Sequence, residues 1–97
     1  MYNLRYMPPA KKYFKKLKDK GPIRAYSEAL EKISTDPYSG EAKIGDLAGI
    51  FCMDVSFCKA DYEIAYRIIE DNGNVIIVIL AGTRENFYQE LKRYMSL

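Results

Sequence analysis

The second half of the chain brings together side chains that could transfer a proton and hold an anion. Cys52 and Asp54 alternate along one apolar run, Glu63 and Arg67 along the next, and Thr83, Arg84 and Tyr88 follow a third. In extended chain, residues two apart share a face. If the odd residues of 51–57 and the even residues of 62–68 pack under helices, the opposite face carries Cys52, Asp54, Glu63 and Arg67, with Arg84 and Tyr88 near its end. A carboxylate there can move a proton, arginine can stabilise negative charge, and a tyrosine hydroxyl can orient either. An ordinary solvated sheet face reads the same way, since antiparallel sheets commonly wet one side.

The chain has no histidine. Acid–base groups must therefore come from Asp, Glu, Lys, Tyr or Arg, and histidine triads and histidine metal sites are excluded. Cys52 and Cys58 have no companion ligands for zinc, so they read as free thiols of a reducing compartment. No metal and no cofactor is expected. Near the N-terminus, Lys11, Lys12, Lys15, Lys16, Lys18 and Lys20 face only Asp19 in charge. They are either the wet side of an amphipathic helix or an electrostatic footprint for a nucleic-acid backbone.

The chain of 97 residues is expected to form a single domain over 1–97. Apolar residues make up 48% of it, enough for a modest core without disulfides. The formal charge of +2 is too mild to imply nucleic acid by itself. There is no apolar signal-peptide core and no run near the roughly 18 residues of a membrane span, so the expected compartment is the cytoplasm.

The elements that must position these groups follow from periodicity. Residues 2 to 7 are β-prone, and Pro8-Pro9 opens a helix. Ala10, Tyr13, Phe14 and Leu17 form its apolar stripe. Gly21-Pro22 stops that helix and opens another, carrying Ile23, Tyr26, Leu30 and Ile33. Residues 37–49 read as a loop. Two alternating strands follow at 51–57 and 62–68, with Cys58 to Asp61 as the turn between them. Asp71-Asn72-Gly73 is a hairpin signal, and Val75 to Ala81 is continuously apolar, as for a strand covered on both faces. Phe87, Leu91 and Tyr94 or Met95 line a short C-terminal helix. The expected class is α+β, in the order β-α-α-β-β-β-α. That gives a mostly antiparallel four-stranded sheet with an α-hairpin on one face.

The strand-pair text DYEIAYRIIEDNGNVIIVILAG and the tail GTRENFYQELKRYM resemble the RelE/ParE toxins, and the element order matches that family over essentially the whole chain. The resemblance implies a toxin of a type II toxin–antitoxin system. In the RelE-like branch it implies an mRNA interferase, an endoribonuclease that enters the ribosomal A site and cuts mRNA without a metal, by attack of the ribose 2′-hydroxyl on the adjacent phosphate. Its implied partners are a cognate antitoxin, the ribosome with its mRNA, and operator DNA through the antitoxin complex.

Matched position by position, the resemblance gives Arg84 the phosphate-stabilising role and Tyr88 the orienting or proton-transfer role. The family's two hairpin lysines fall on Cys52 and Asp54, and its hairpin arginine on Glu63. Arg67, Lys59 or Lys43 could restore the lost charge, and Glu63, Asp54 or Glu41 could serve as base. The expected catalytic set is thus Arg84, Tyr88, Arg67, Glu63 and Asp54. The expected RNA contacts are Lys11, Lys12, Lys15, Lys16, Lys18, Lys59 and Lys43. The missing cations leave two other readings: a ParE-like toxin that inhibits DNA gyrase, or a detoxified member that binds only antitoxin and DNA.

Overall fold

The computed structural model describes residues 1–95. Strand β1 (Asn3–Tyr6) leads into α1 (Pro8–Lys16) and α2 (Lys20–Thr35), then a very short β2 (Glu41–Ala42). Three long strands follow, β3 (Phe51–Phe57), β4 (Ala60–Ile69) and β5 (Val75–Thr83), and α3 (Phe87–Met95) closes the order. The α+β class stands as expected. The sheet gains a fifth strand, because Glu41 and Ala42 pair with Cys52 and Phe51 inside the segment expected to be loop. Strand order is β1-β5-β4-β3-β2, antiparallel except for the parallel β1–β5 pair.

Local chemistry accounts for the boundaries. Pro8 occupies the first turn of α1, where its missing N–H costs nothing. Helix α2 begins at Lys20, one residue before Gly21-Pro22, since the Asp19 carboxylate accepts from the Gly21 N–H at 3.2 Å and caps it. Cys58 turns β3 into β4 with a positive φ of 56°, and β4 starts already at Ala60. Asn72 and Gly73, with φ of 59° and 128°, make the next turn, as the Asn-Gly signal requires.

Alternation divides the sheet between two cores. Under the α-hairpin lie Val55, Ile64, Tyr66, Ile76 and Val78, packed on Ala10, Tyr26 and Ile33. Tyr26 anchors this side: its hydroxyl meets Tyr13 at 3.0 Å and the Gly82 carbonyl at 3.3 Å. The other face is not left open, as the sequence reading had it. Leu47, Ile50, Cys52, Ala65, Ile79, Leu80, Phe87 and Leu91 form a second core there, with Met95 rather than Tyr94 packed against it. The reason is visible in β5: a strand apolar from Val75 to Ala81 must be covered twice, and α3 supplies the second cover.

Tyr66 ties the sheet to the chain entering β2. Its buried hydroxyl donates to the Pro37 carbonyl at 2.6 Å and accepts from the Gly40 N–H at 3.1 Å. A Cβ on Gly40 would stand 2.2 Å from that hydroxyl. Gly40→Ala is therefore expected to cost about 1–3 kcal/mol by overpacking. The check is the urea midpoint, and an unchanged midpoint would show that the Tyr66 ring yields freely.

Candidate active site

A cleft of about 330 Å³ opens at the end of the second core, lined by Glu41, Lys43, Cys52, Asp54, Glu63, Arg84 and Tyr88. Four elements deliver these groups. β3 brings Cys52 and Asp54, β4 brings Glu63, and β2 with the residue after it brings Glu41 and Lys43. Arg84 and Tyr88 come from the turn into α3 and its first residues.

A bulge sets the register. Ala65 pairs with Leu80 but Tyr66 with Val78, so β5 carries one extra residue there. This shift places Gly82 opposite Glu63. Directly paired residues share a face, and a Cβ on Gly82 would meet only the Phe87 ring, at 4.0 Å. Arg84 is fixed by its backbone N–H, which donates to the Asp61 carbonyl at 3.0 Å. Asn86 then takes a positive φ of 61°, a conformation asparagine tolerates, and swings the chain into α3.

Glu63 is the unusual group. It is 2% exposed, and its Oε1 accepts from the Tyr88 hydroxyl at 3.1 Å. Its Oε2 is buried with no hydrogen-bond partner. Asp54 lies directly across the strand pair. Burial, and then the neighbouring Asp54 carboxyl, push the Glu63 carboxyl up to about 7, against relief from Tyr88 and the Arg84 charge. A buried carboxyl poised near neutrality beside a second carboxyl is equipped for proton transfer.

The cations flank it. The Lys43 ammonium sits 4.9 Å above the centre of the Tyr88 ring and pairs with the Glu41 carboxylate, which raises its pKa and keeps it charged. Burial raises the Tyr88 hydroxyl too. It also drives the Cys52 thiol up to about 12, so Cys52 is a neutral floor residue and not a nucleophile. Among the described residues, no three His, Cys, Asp or Glu side chains are grouped so as to hold a metal ion.

Of the expected catalytic residues, Arg84, Tyr88, Glu63 and Asp54 come together. Arg67 does not join them. It shares their face, but four residues along β4 amount to about 13 Å, and its guanidinium lies beside Gly49. Lys59 stays exposed at the tip of the β3–β4 turn. Lys43 alone of the loop lysines reaches in. Lys11, Lys12, Lys15, Lys16 and Lys18 are exposed along α1 and just beyond it. The apolar side of α1 packs on the hairpin core, so these lysines form a separate patch behind the sheet. The pairing of Glu41 with Lys43 was missed from sequence. Its signal is their spacing of two, which in extended chain puts both on one side.

A family model described as ParE-like toxin of type II bacterial toxin-antitoxin system matches residues 4–92. Among solved structures, the chain is similar to a mutant of the Escherichia coli toxin RelE in the free state. That match has a TM-score of 0.69 and 21% identity, and covers 95% of this chain and 96% of that one. It is also similar to a chain of the toxin–antitoxin complex RelBE2 from Mycobacterium tuberculosis, with a TM-score of 0.58, 24% identity, and 86% and 98% of the two chains covered. At these identities the likeness is one of fold. No curated protein sequence matches.

Proposed function

Because the chain belongs to the ParE-like toxins of type II bacterial toxin–antitoxin systems, we propose that it cuts messenger RNA in the ribosomal A site by metal-independent attack of a 2′-hydroxyl. In this reading it works in the cytoplasm and is silenced by a cognate antitoxin, in a complex that binds operator DNA. The observation that carries it is the buried Glu63 carboxyl, bonded to Tyr88 in a cleft that Arg84 and Lys43 also line.

The chemistry runs through named groups. The Glu63 carboxylate takes the proton from the 2′-hydroxyl, whose oxygen attacks the adjacent phosphorus. Arg84 and Lys43 stabilise the charge that gathers on the phosphoryl oxygens. The bond from phosphorus to the 5′-oxygen breaks. That oxygen takes the Tyr88 proton as Tyr88 takes the proton held by Glu63, so both side chains return to their starting state. The products are a 2′,3′-cyclic phosphate and a 5′-hydroxyl end. The lysines of α1, remote from the cleft, suit a second contact with a large polyanion such as ribosomal RNA. Such contacts give affinity and salt dependence rather than sequence preference.

Arg84→Ala is expected to lower A-site cutting about a hundredfold, the scale of one lost oxyanion donor. The measurement is mapping of RNA ends from purified translating ribosomes. Intact message at high toxin concentration sinks the reading.

Glu41 and Asp54 favour a second one, because anions beside the cleft repel phosphate. In that case the chain is a toxin that inhibits DNA gyrase without cutting RNA. A supercoiling assay separates the two: gyrase blocked with message intact supports the second reading.

A further inference from the structure

We infer that the Glu41 carboxylate is a built-in competitor of the substrate: it occupies Lys43 in the free protein and must swing away for an RNA phosphate to bind there. The inference rests on the reading of the cleft as an RNA site and adds a device that controls it.

The two halves of the Glu41–Lys43 pair are unequal. The Lys43 side chain is 19% exposed, whereas that of Glu41 is 74% exposed. Lys43 is held inside by its position over the Tyr88 ring. Glu41 reaches in from the rim, and Lys43 is its one hydrogen-bond partner among the described residues. Lysine is a compact point charge that binds carboxylate and phosphate oxygens alike. A pair with one solvent-exposed member contributes little and opens readily. The mobile member is therefore the anion, and its departure leaves a fixed cation facing the cleft.

The charges agree. Lys43 and Arg84 stand against Glu41, Asp54 and the half-titrated Glu63. With Glu41 in place, the cleft offers a phosphate no net attraction. With Glu41 turned into solvent, the two cations prevail. Glu41 sits in β2, whose pairing with β3 ends at the Glu41–Cys52 pair, so only one strand end has to yield.

The test uses the full chain and a short single-stranded RNA carrying 2′-O-methyl groups, which binds but cannot be cut. Its dissociation constant is measured at low ionic strength for the parent, Glu41→Gln, Lys43→Met and the double variant. Glu41→Gln should bind about fivefold tighter and Lys43→Met more weakly. The gain from Glu41→Gln should shrink sharply in the Lys43→Met background, where only the direct repulsion of phosphate by Glu41 is left to relieve. Lys43→Arg retains a cation and should keep most of the affinity, which guards against a folding artefact in Lys43→Met. Unchanged or weaker binding by Glu41→Gln overturns the inference. So does a gain that survives undiminished in the double variant, or failure of parent and Glu41→Gln alike to bind the probe. Tighter binding by Glu41→Gln with no cutting of unmodified message leaves this inference standing and removes the nuclease reading. Cutting that depends on Arg84, with binding indifferent to Glu41, does the reverse.

Discussion

Replacing Glu63 by glutamine is expected to lower RNA cleavage by a factor of about 100 to 10,000, the range of a lost general base, and to abolish the rise of activity with pH. The carboxyl must be ionised to accept the 2′-hydroxyl proton. With its pKa near 7, kcat/KM should climb through neutrality and level off above it. The amide keeps the shape and still accepts from Tyr88, but it takes no proton. A variant whose rate and pH profile match the parent would remove Glu63 from the chemistry.

The same group leaves a signature in stability. Its ordinary value of 4.5 is raised in the folded protein to about 7. Below about pH 4.5, folded and unfolded chains both hold the proton, and Glu63 disfavours neither. Between about 4.5 and 7 the unfolded chain releases the proton while the folded chain keeps it, so stability falls as pH rises; above that range the loss is constant. Subtracting the denaturation curve of Glu63→Gln from that of the parent isolates this slope from the other carboxylates. A flat difference across that window would mean that Glu63 titrates normally.

Phe87→Ala is expected to be the most destabilising single change, costing about 3–5 kcal/mol for a buried aromatic. Phe87 is 1% exposed at the start of α3, where it joins that helix to Leu47, Ile50 and Leu80. Since domains commonly hold only about 5–15 kcal/mol, this is a large share of the total stability. In whatever remains folded, Tyr88, the next residue, would lose its support beneath Glu63. Phe87→Leu should cost less and keep activity. Urea midpoints for both variants, alongside cleavage rates, make the check; equal midpoints for parent and Phe87→Ala would show that α3 contributes little to the fold.

Much of this architecture is legible in the residues. The three-and-four spacing of Tyr26, Leu30 and Ile33, the alternation at 51–57 and 62–68, and the Asn72-Gly73 turn each encode local geometry that the fold keeps. Arg84, Tyr88, Glu63 and Asp54 are expected on one patch and do line one cleft. What periodicity cannot reveal is long-range. The bulge opposite Ala65 and Tyr66 decides that Gly82, not Ala81, faces Glu63, and no local pattern announces it. Two paired residues at Glu41 and Ala42 are too few for alternation to register, so the strand that carries Lys43 inward reads as loop. Arg67 shows the opposite limit. Parity gives its face correctly but says nothing about distance along the strand.

The parallel pairing of β1 with β5 has a consequence for how the chain is made. Asn3 meets Val75, and Tyr6 meets Val78. A polypeptide emerging at about 5–20 residues per second therefore carries its first strand unmatched for roughly 4 to 14 seconds. Arg84 and Tyr88 emerge later still. The half-made product thus holds neither a finished sheet nor the groups that complete the cleft, which forms only after β5 and the start of α3 have been made.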